Sequence, residues 1–252
     1  MTNRLNRLFR LAAWVLAPAL LLSIAASAWA ASVSADDSTP AAEITVGVLD
    51  SDPVAIACDE NVTPTESSAT PIPAQSPATV YTLTADSVAS YTAQEQLAGK
   101  GANTAVGSTN TIIGTIYFDG DGNPMACSRV DVDMRTLVSD ESRRDKYLRG
   151  STLQTDTYPV ATFVVTSVNG LDGALQDGQE TTFYLVGNLT MHGQTRQARW
   201  EVTATLDGDN LTGQAATEFD MADYNITEPK VGPVLSVDST IQLEIDVVAT
   251  KG

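Results

Sequence analysis

Few side chains in this sequence have the chemistry and spacing of a catalytic or metal site. His192 is the only histidine, and a nucleophile with a histidine base needs more partners than one His in a His-Gly turn offers. We therefore interpret His192 as a residue that shapes a hairpin. No glycine-rich phosphate loop follows a predicted strand and opens a helix. These features argue against an enzyme and against a cofactor.

Two charged clusters each have a simpler interpretation than a binding site. Residues 143–145 (Arg-Arg-Asp) are consistent with an anion site, but a solvated helix face with one internal ion pair is the commoner arrangement. Residues 119–123 are similar to a calcium loop. Their glycine is misplaced, however, and Val130 stands where the bidentate Glu is required. We predict a turn there and no metal site.

Cys58 and Cys127 are the only cysteines. In an oxidising compartment two cysteines can form one disulfide, and two unpaired thiols remain the alternative. A bridge would close a loop of 68 intervening residues, and in the chain-entropy model it would stabilise the fold by about 4 kcal/mol. Such widely spaced cysteines beside a single His do not make a zinc site.

Strands account for most of the sequence after residue 78, because apolar and polar residues alternate there with a period of two. Residues 105–118 are predicted to form one long strand, or two with a bend at Gly114. The other predicted strands span residues 80–84, 88–96, 129–135, 160–168, 183–189, 198–206, 211–219 and 241–247. Residues 207–210 (Asp-Gly-Asp-Asn) are predicted to form a hairpin turn.

About eight antiparallel strands with one apolar face are best accommodated by closure into a barrel. An open sheet would expose an apolar face and two unpaired edges, whereas a barrel buries the face and has no edges. An eight-stranded barrel encloses either packed side chains or one small ligand. Small residues on the predicted inward faces favour a cavity; they are Gly114, Gly187, Ala198, Ala204, Gly213 and Ala215.

One short helix is predicted between the strands, in residues 139–150. Asp140 and Glu141 lie at its start and basic residues fill its later turns, which suits the helix dipole. Gly150 stands where a left-handed C-terminal cap is expected. A short charged helix between strands indicates an element that crosses one end of the barrel. Barrels with a covered end usually hold an apolar molecule.

The residues before the barrel have the pattern of an export signal and a linker. Residues 1–30 combine three arginines, an apolar run and an Ala-Trp-Ala cleavage site, although the run is long enough to serve as an uncleaved membrane anchor. Residues 31–78 contain six of the 11 prolines and are predicted to be a linker. Within them, residues 43–49 alternate like a strand that could pair with a barrel edge. We expect an extracytoplasmic protein: periplasmic, secreted or at the cell surface.

The net charge limits the partners of the chain. Removal of residues 1–30 leaves 11 basic and 31 acidic residues, a net charge of −20. Such a surface repels phosphate backbones and anionic headgroups, so nucleic-acid binding is disfavoured. The sequence leaves open a homodimer and, if residues 1–30 are retained, a membrane tether.

Three motifs in the barrel region resemble the YceI-like polyisoprenoid-binding family. The first contains Arg144-Asp145, Leu148-Arg149, Tyr158-Pro159 and Thr162-Phe163. The second is residues 187–193 (Gly-Asn-Leu-Thr-Met-His-Gly), and a weaker third is residues 220–226. The resemblance covers roughly residues 79–251 and agrees with a domain at 79–252. It implies a lipocalin-like all-β barrel of about eight antiparallel strands, with one short helix at a barrel end.

The same resemblance implies that the barrel binds, stores or transports a long apolar lipid of polyisoprenoid or fatty-acyl type. The candidate lining residues are Ile116, Phe118, Val132, Met134, Phe163, Phe183, Leu185, Trp200, Val202, Phe219, Leu243 and Ile245. The alternative for each residue is plain core. The alternative for the protein is a secreted or cell-surface interaction module with a filled barrel, and the presence of a cavity distinguishes the two. An enzyme that acts on a lipid-like substrate is a further alternative, against which the lack of a nucleophile–base pair argues.

Overall fold

The computed structural model describes residues 46–53 and 77–252. The predicted signal at 1–30 and the greater part of the predicted linker at 31–78 lie outside the described residues. Cys58 lies outside them as well.

Twelve strands in the described residues form one sheet, and eight of them close into a ring. The ring runs β2-β5-β6-β8-β9-β10-β11-β12 and returns to β2, with antiparallel pairing throughout. The predicted all-β barrel is therefore confirmed. The strands are β1 Gly47–Val48, β2 Thr79–Leu83, β3 Val88–Leu97, β4 Gly101–Thr109, β5 Ile112–Phe118, β6 Arg129–Asp133, β7 Val138–Ser139, β8 Val160–Asn169, β9 Glu180–Met191, β10 Gln194–Asp207, β11 Asn210–Asp220 and β12 Val234–Lys251.

Three neighbouring strands of the barrel are each broken in two. β2 continues as β3, β5 follows β4, and β6 continues as β7, so that β3, β4 and β7 form a second tier beyond β2, β5 and β6. The 18-residue β12 is long enough to pair with β2 at one end and with β3 along the rest. We call the part of the barrel enclosed by β3, β4 and β7, together with the adjoining portions of the longer strands, the upper half. The part enclosed by β2, β5 and the start of β6, together with the adjoining portions of the longer strands, is the lower half.

The break between β4 and β5 lies at residues 110–111, so the prediction of a bend at Gly114 is wrong. The Thr109 hydroxyl accepts a hydrogen bond from the Thr111 amide at 3.0 Å, a local bond that competes with the strand ladder. Gly114 lies inside β5, where a Cβ would come within 2.8 Å of the Arg129 carbonyl oxygen. Its missing side chain therefore permits close strand packing rather than a bend.

The predicted helix crosses the upper end of the barrel, but it ends differently from the expectation. It consists of α1 Ser142–Tyr147, begun by the Glu141 carboxylate that accepts from the Arg143 amide at 3.1 Å, and of a π-helical turn, Leu148–Thr152. The predicted left-handed cap at Gly150 is wrong. Gly150 lies within the π-helical turn, and the left-handed residue is Gln154, with φ of 48°.

The three predicted turns are confirmed. His192 and Gly193, with φ of 48° and 73°, join β9 to β10, a pair of left-handed residues that suits a tight hairpin. Residues 208–209 join β10 to β11. In residues 119–123 one Asp119 carboxylate oxygen accepts from two backbone amides at 2.9 Å each, which occupies it in the turn itself.

Part of the segment before the barrel joins the sheet. Gly47 and Val48 form β1, which pairs with Arg199 and Ala198 of β10. The Leu49 amide donates to the Gln197 carbonyl at 2.8 Å. The described part of the segment at 43–49 thus pairs with the barrel as its alternation predicts.

Candidate ligand cavity

The upper half of the barrel encloses a cavity of about 660 Å³. Residues from β3, β4, β6, β8, β10 and β12 form its wall, and α1 with the π-helical turn lies across its upper end. Residues 229–234, which lead into β12, line the same end. A cavity of this size is in the range of small-molecule sites, about 300–1,000 Å³.

Alanines on the inward face of the upper half create this volume. Ala89 and Ala93 of β3, Ala105 of β4 and Ala161 of β8 all line the cavity. Ala93 lies directly opposite Ala105 in the register. A methyl side chain at these positions leaves space that a larger residue would fill.

The small residues that the sequence indicated lie elsewhere. None of the six lines the 660 Å³ cavity. The space beside Gly187 is occupied by the Phe163 ring, since a Cβ there would come within 2.7 Å of two ring atoms. A Cβ at Gly213 would likewise come within 3.0 Å of Ala204. Three of the six, Ala204, Gly213 and Ala215, line only a smaller cavity in the lower half. The prediction of a cavity thus agrees with the structure, but none of the residues used to argue it lines the large one.

A buried ion pair lies at the mouth of the cavity. Arg144 of α1 contacts the Glu95 carboxylate at 3.1 Å and the Asp140 carboxylate at 2.5 Å. The Glu95 side chain is only 5% exposed. Its carboxylate also accepts a hydrogen bond from the side-chain amide of Asn103 at 2.8 Å. The hydrogen bond from Arg144 holds the pKa of Asp140 below its ordinary value. Arg144 thus ties the helix to β3 beside the opening.

The interpretation of residues 143–145 as a solvated helix face is wrong for two of the three residues. Arg144 turns towards the barrel, as described above. Asp145 is 7% exposed and accepts hydrogen bonds from the Ser139 amide and hydroxyl, at 2.9 and 2.6 Å. These contacts are not predictable from the sequence pattern because they depend on where the helix lies over the barrel end.

Tyr91 of β3 is a polar residue in the cavity wall. Burial raises the pKa of its phenol to about 12. Its hydroxyl has no hydrogen-bond partner in the described residues. The ring lies against Gly107, where a Cβ would come within 2.8 Å of the Tyr91 hydroxyl. The ring is therefore positioned by its fit against Gly107, and its hydroxyl is not engaged by the residues described.

A floor of four residues separates the cavity from a second, smaller one in the lower half. The smaller cavity has a volume of about 90 Å³ and an almost wholly apolar lining. The floor residues line both cavities; they are Val130, Phe163, Trp200 and Ile245. The rings of Phe163 and Trp200 meet at 5.4 Å between centroids.

The predicted lining residues are divided between the two cavities. Seven line the larger one: Val132, Met134, Phe163, Trp200, Phe219, Leu243 and Ile245. Five line the smaller one alone: Ile116, Phe118, Phe183, Leu185 and Val202. The alternation of apolar and polar residues placed all twelve side chains inside the barrel, but it does not determine their position along the barrel axis. Sequence reasoning missed the upper alanines and Glu95, although Ala89, Ala93 and Glu95 share the inward face of β3.

In residues 46–53 and 77–252, no three His, Cys, Asp or Glu side chains are grouped to hold a metal ion. None of the helices in this part of the chain has the length and hydropathy needed to cross a membrane. Cys127 is held in a disulfide. Because Cys58 lies outside the described residues, the pairing of the two stays a prediction.

Comparison with known sequences identifies relatives over most of the barrel. The family model described as YceI-like domain matches residues 81–249. A UPF0312 protein of Vibrio vulnificus is 31% identical over 156 residues, which cover 58% of this chain and 74% of the relative. A UPF0312 protein of Yersinia pestis is 33% identical over the same shares of the two chains.

Two solved structures share the fold at low sequence identity. Burkholderia cenocepacia BcnA superposes with a TM-score of 0.53 at 18% identity, over 67% of this chain and 99% of its own. A polyisoprenoid binding domain from Saccharophagus degradans, implicated in plant cell wall breakdown, gives a TM-score of 0.52 at 14% identity. That match covers 68% of this chain and 98% of the domain.

Proposed function

Since the chain belongs to the family of the YceI-like domain, we propose that it binds a long apolar lipid in the upper half of its barrel. The lipid is a polyisoprenoid or a fatty-acyl chain, and the protein stores or carries it. The observation that carries this proposal is the 660 Å³ cavity beneath α1. The solved Saccharophagus degradans domain of the same fold, which binds polyisoprenoids by its description, supports the lipid class.

Burial of hydrocarbon is sufficient to drive such binding. Each methylene removed from water contributes about 0.8 kcal/mol, so a dozen methylenes contribute about 10 kcal/mol. Association costs about 4–15 kcal/mol in lost freedom of motion. A dozen methylenes offset all but the upper part of this cost, and about 20 offset the whole of it. A chain in this range can therefore bind without a specific polar contact, and the shape of the cavity then sets the specificity.

The alternative of a surface interaction module assumes a filled barrel. A cavity lined by Ala89, Ala93, Ala105 and Ala161 favours lipid binding over that alternative. The described residues contribute no grouped metal ligands, and we assign no catalytic step to the site.

We propose an extracytoplasmic location for this activity. The pattern of residues 1–30 is that of an export signal, and the disulfide at Cys127 suits an oxidising compartment. Fractionation of the native host with an antibody against the barrel tests this location. Recovery with the cytoplasmic fraction would overturn it.

Native mass spectrometry of the protein purified from its host tests the lipid proposal. We expect a stoichiometric apolar adduct that disappears after organic extraction and returns when the extract is added back. The extract also identifies the lipid by its mass. A protein that stays free of adduct, even with added prenyl alcohols and fatty acids, would overturn lipid binding.

A further inference from the structure

We propose that Trp200 limits the length of lipid that the barrel can bury, so that the buried part of the ligand has about 20 non-hydrogen atoms. This inference rests on the proposed lipid binding and specifies its substrate. It concerns the floor between the two cavities, which neither the family match nor the neighbouring structures assign.

The floor spans the interior from several sides. Val130 comes from β6, Phe163 from β8, Trp200 from β10 and Ile245 from β12. Val130 and Phe163 are direct partners in the sheet. Since side chains from four strands converge at one height, a chain that enters from the mouth meets a barrier there.

The position of the two aromatic rings is fixed by their neighbours. Phe163 lies over Gly187, where the absence of a side chain leaves room for its ring, and it packs against Trp200 at 5.4 Å between centroids. Trp200 is 3% exposed. Its indole N–H has no hydrogen-bond partner in the structurally described part of the chain. The indole therefore acts at this position through its volume and its packing.

The volumes on either side of the floor set the length. A water molecule occupies about 30 Å³ of liquid, and a methylene group is of similar size. The upper cavity of about 660 Å³ then holds about 20 non-hydrogen atoms of a lipid. The lower cavity of about 90 Å³ adds space for only about three more. Carbons beyond this limit must remain outside the mouth, in water.

Removal of the indole should join the two cavities. The Trp200→Ala change frees the space of the nine ring atoms and opens the lower cavity to the upper one. Together these changes admit about a dozen further carbons. The same change leaves the mouth, with Arg144 and Glu95, untouched.

A chain-length series tests this inference on the full protein. The probes are saturated fatty alcohols of about 12 to 36 carbons in steps of about four, and the readout is the dissociation constant from competition against a fluorescent fatty acid. For the wild type we expect affinity to rise about fourfold per added methylene, and to stop rising near 20 carbons. For Trp200→Ala we expect the same slope, with the chain length at which affinity stops rising moved up by about a dozen carbons.

Two further variants act as controls. Phe183→Ala enlarges only the lower cavity behind the intact floor, so its affinity should stop rising at the same chain length as that of the wild type. Trp200→Leu keeps an apolar side chain of intermediate size, and it provides a smaller upward shift if Trp200→Ala fails to fold. The chain length at which affinity stops rising in the wild type is measured without any substitution.

The outcomes separate this inference from the proposed function. The role of Trp200 would be overturned if affinity rose with chain length without levelling off. It would also be overturned if affinity levelled off at the same chain length in the wild type, Trp200→Ala and Trp200→Leu. Either result would leave lipid binding in place. No binding at any chain length would overturn the proposed function itself.

Discussion

The upper and lower halves of the barrel are formed by one continuous sheet, yet they fill its interior differently. Inward positions of the lower half carry Tyr81, Phe118 and Phe183, each 3% exposed, and only about 90 Å³ remains empty. Corresponding positions of the upper half carry Ala89, Ala93 and Ala105, and about 660 Å³ remains. The comparison teaches that space for a ligand lies where small inward side chains face one another, as Ala93 and Ala105 do, and not where a neighbouring ring fills the space beside a glycine, as Phe163 does at Gly187.

The two halves also differ in whether their buried polar side chains have hydrogen-bond partners. The Tyr81 hydroxyl of the lower half donates to the Gly208 carbonyl at 3.0 Å. In the upper half Tyr91 has no such partner among the residues described, and charged groups gather at the mouth around Arg144. We infer that the lower half supplies most of the stability and the upper half supplies the binding site.

Filling the upper half should have the largest effect. Ala93→Trp places an indole in the cavity, so lipid binding should weaken at least 100-fold, which corresponds to about 2.7 kcal/mol. The protein should stay folded, because the cavity has room for the ring. Isothermal titration with a fatty alcohol checks the affinity, and thermal unfolding checks the fold.

A matched change in the lower half is the control for Ala93→Trp. Ala204 lies opposite Gly213 in the register, where even a Cβ on Gly213 would come within 3.0 Å of it, so Ala204→Trp overpacks the interior and should destabilise by about 1–3 kcal/mol or more. If the two tryptophans lower stability equally and Ala93→Trp still binds lipid, the distinction between the halves is wrong.

Truncation of the lower half should reduce stability rather than binding. Phe183→Ala removes a buried ring and should lower the free energy of unfolding by about 3–5 kcal/mol. Leu153→Ala, at a half-buried position on the cavity wall, should cost only about 1–2 kcal/mol because it already borders empty space. Urea denaturation measures both. An equal cost at the two positions would contradict the account.

The ion pair at the mouth should contribute an intermediate effect. Arg144→Met leaves the Glu95 carboxylate buried with Asn103 as its remaining partner, and should destabilise by about 2 kcal/mol, less than for a fully buried pair. A double-mutant cycle with Glu95→Gln isolates the pair, since the double variant should cost less than the sum of the single changes. Strict additivity would show that the two side chains are not coupled.

The two tyrosines should give the smallest difference. Tyr81→Phe loses a hydrogen bond and should cost about 1 kcal/mol, whereas Tyr91→Phe removes an unpartnered hydroxyl and should be neutral or stabilising. Guanidinium unfolding at neutral pH measures both. A cost for Tyr91→Phe equal to that for Tyr81→Phe would mean that Tyr91 has a partner in solution.

Alkaline pH provides a second measurement on Tyr91. Burial raises its pKa in the folded state from 10.0 to about 12, so the folded protein holds this proton more tightly than the unfolded chain. Its contribution to stability is present below pH 10 and is lost as the pH rises towards 12. The wild type should therefore lose stability over this window more steeply than Tyr91→Phe. Identical slopes would contradict the burial of Tyr91.

The sequence predicts the strands well because their signal is local. The alternation in β6 and the turns at His192–Gly193 and Gly208–Asp209 each depend on a few adjacent residues. The breaks in three neighbouring strands are not predictable in this way. They depend on the length of β12, which pairs with β2 and β3 in turn, and on closure of the whole barrel.

The candidate site was predicted only in part, for a related reason. Alternation reports which side chains point inward, but their height along the barrel depends on register between distant strands. Phe183 and Phe219 are both inward aromatic residues in the sequence, yet Phe183 lies only beside the small cavity and Phe219 beside the large one. The inward alanines of β3 were visible in the sequence, but their meaning depends on Ala105 lying opposite.

A crystal structure of the protein saturated with a fatty alcohol of about 20 carbons tests the central claim most directly. The account predicts continuous electron density for one chain in the upper half, from the mouth beside Arg144 down to Trp200, with the lower half unchanged from the free protein. An upper half filled by rearranged side chains, or a lipid bound on the outside of the barrel, would contradict it.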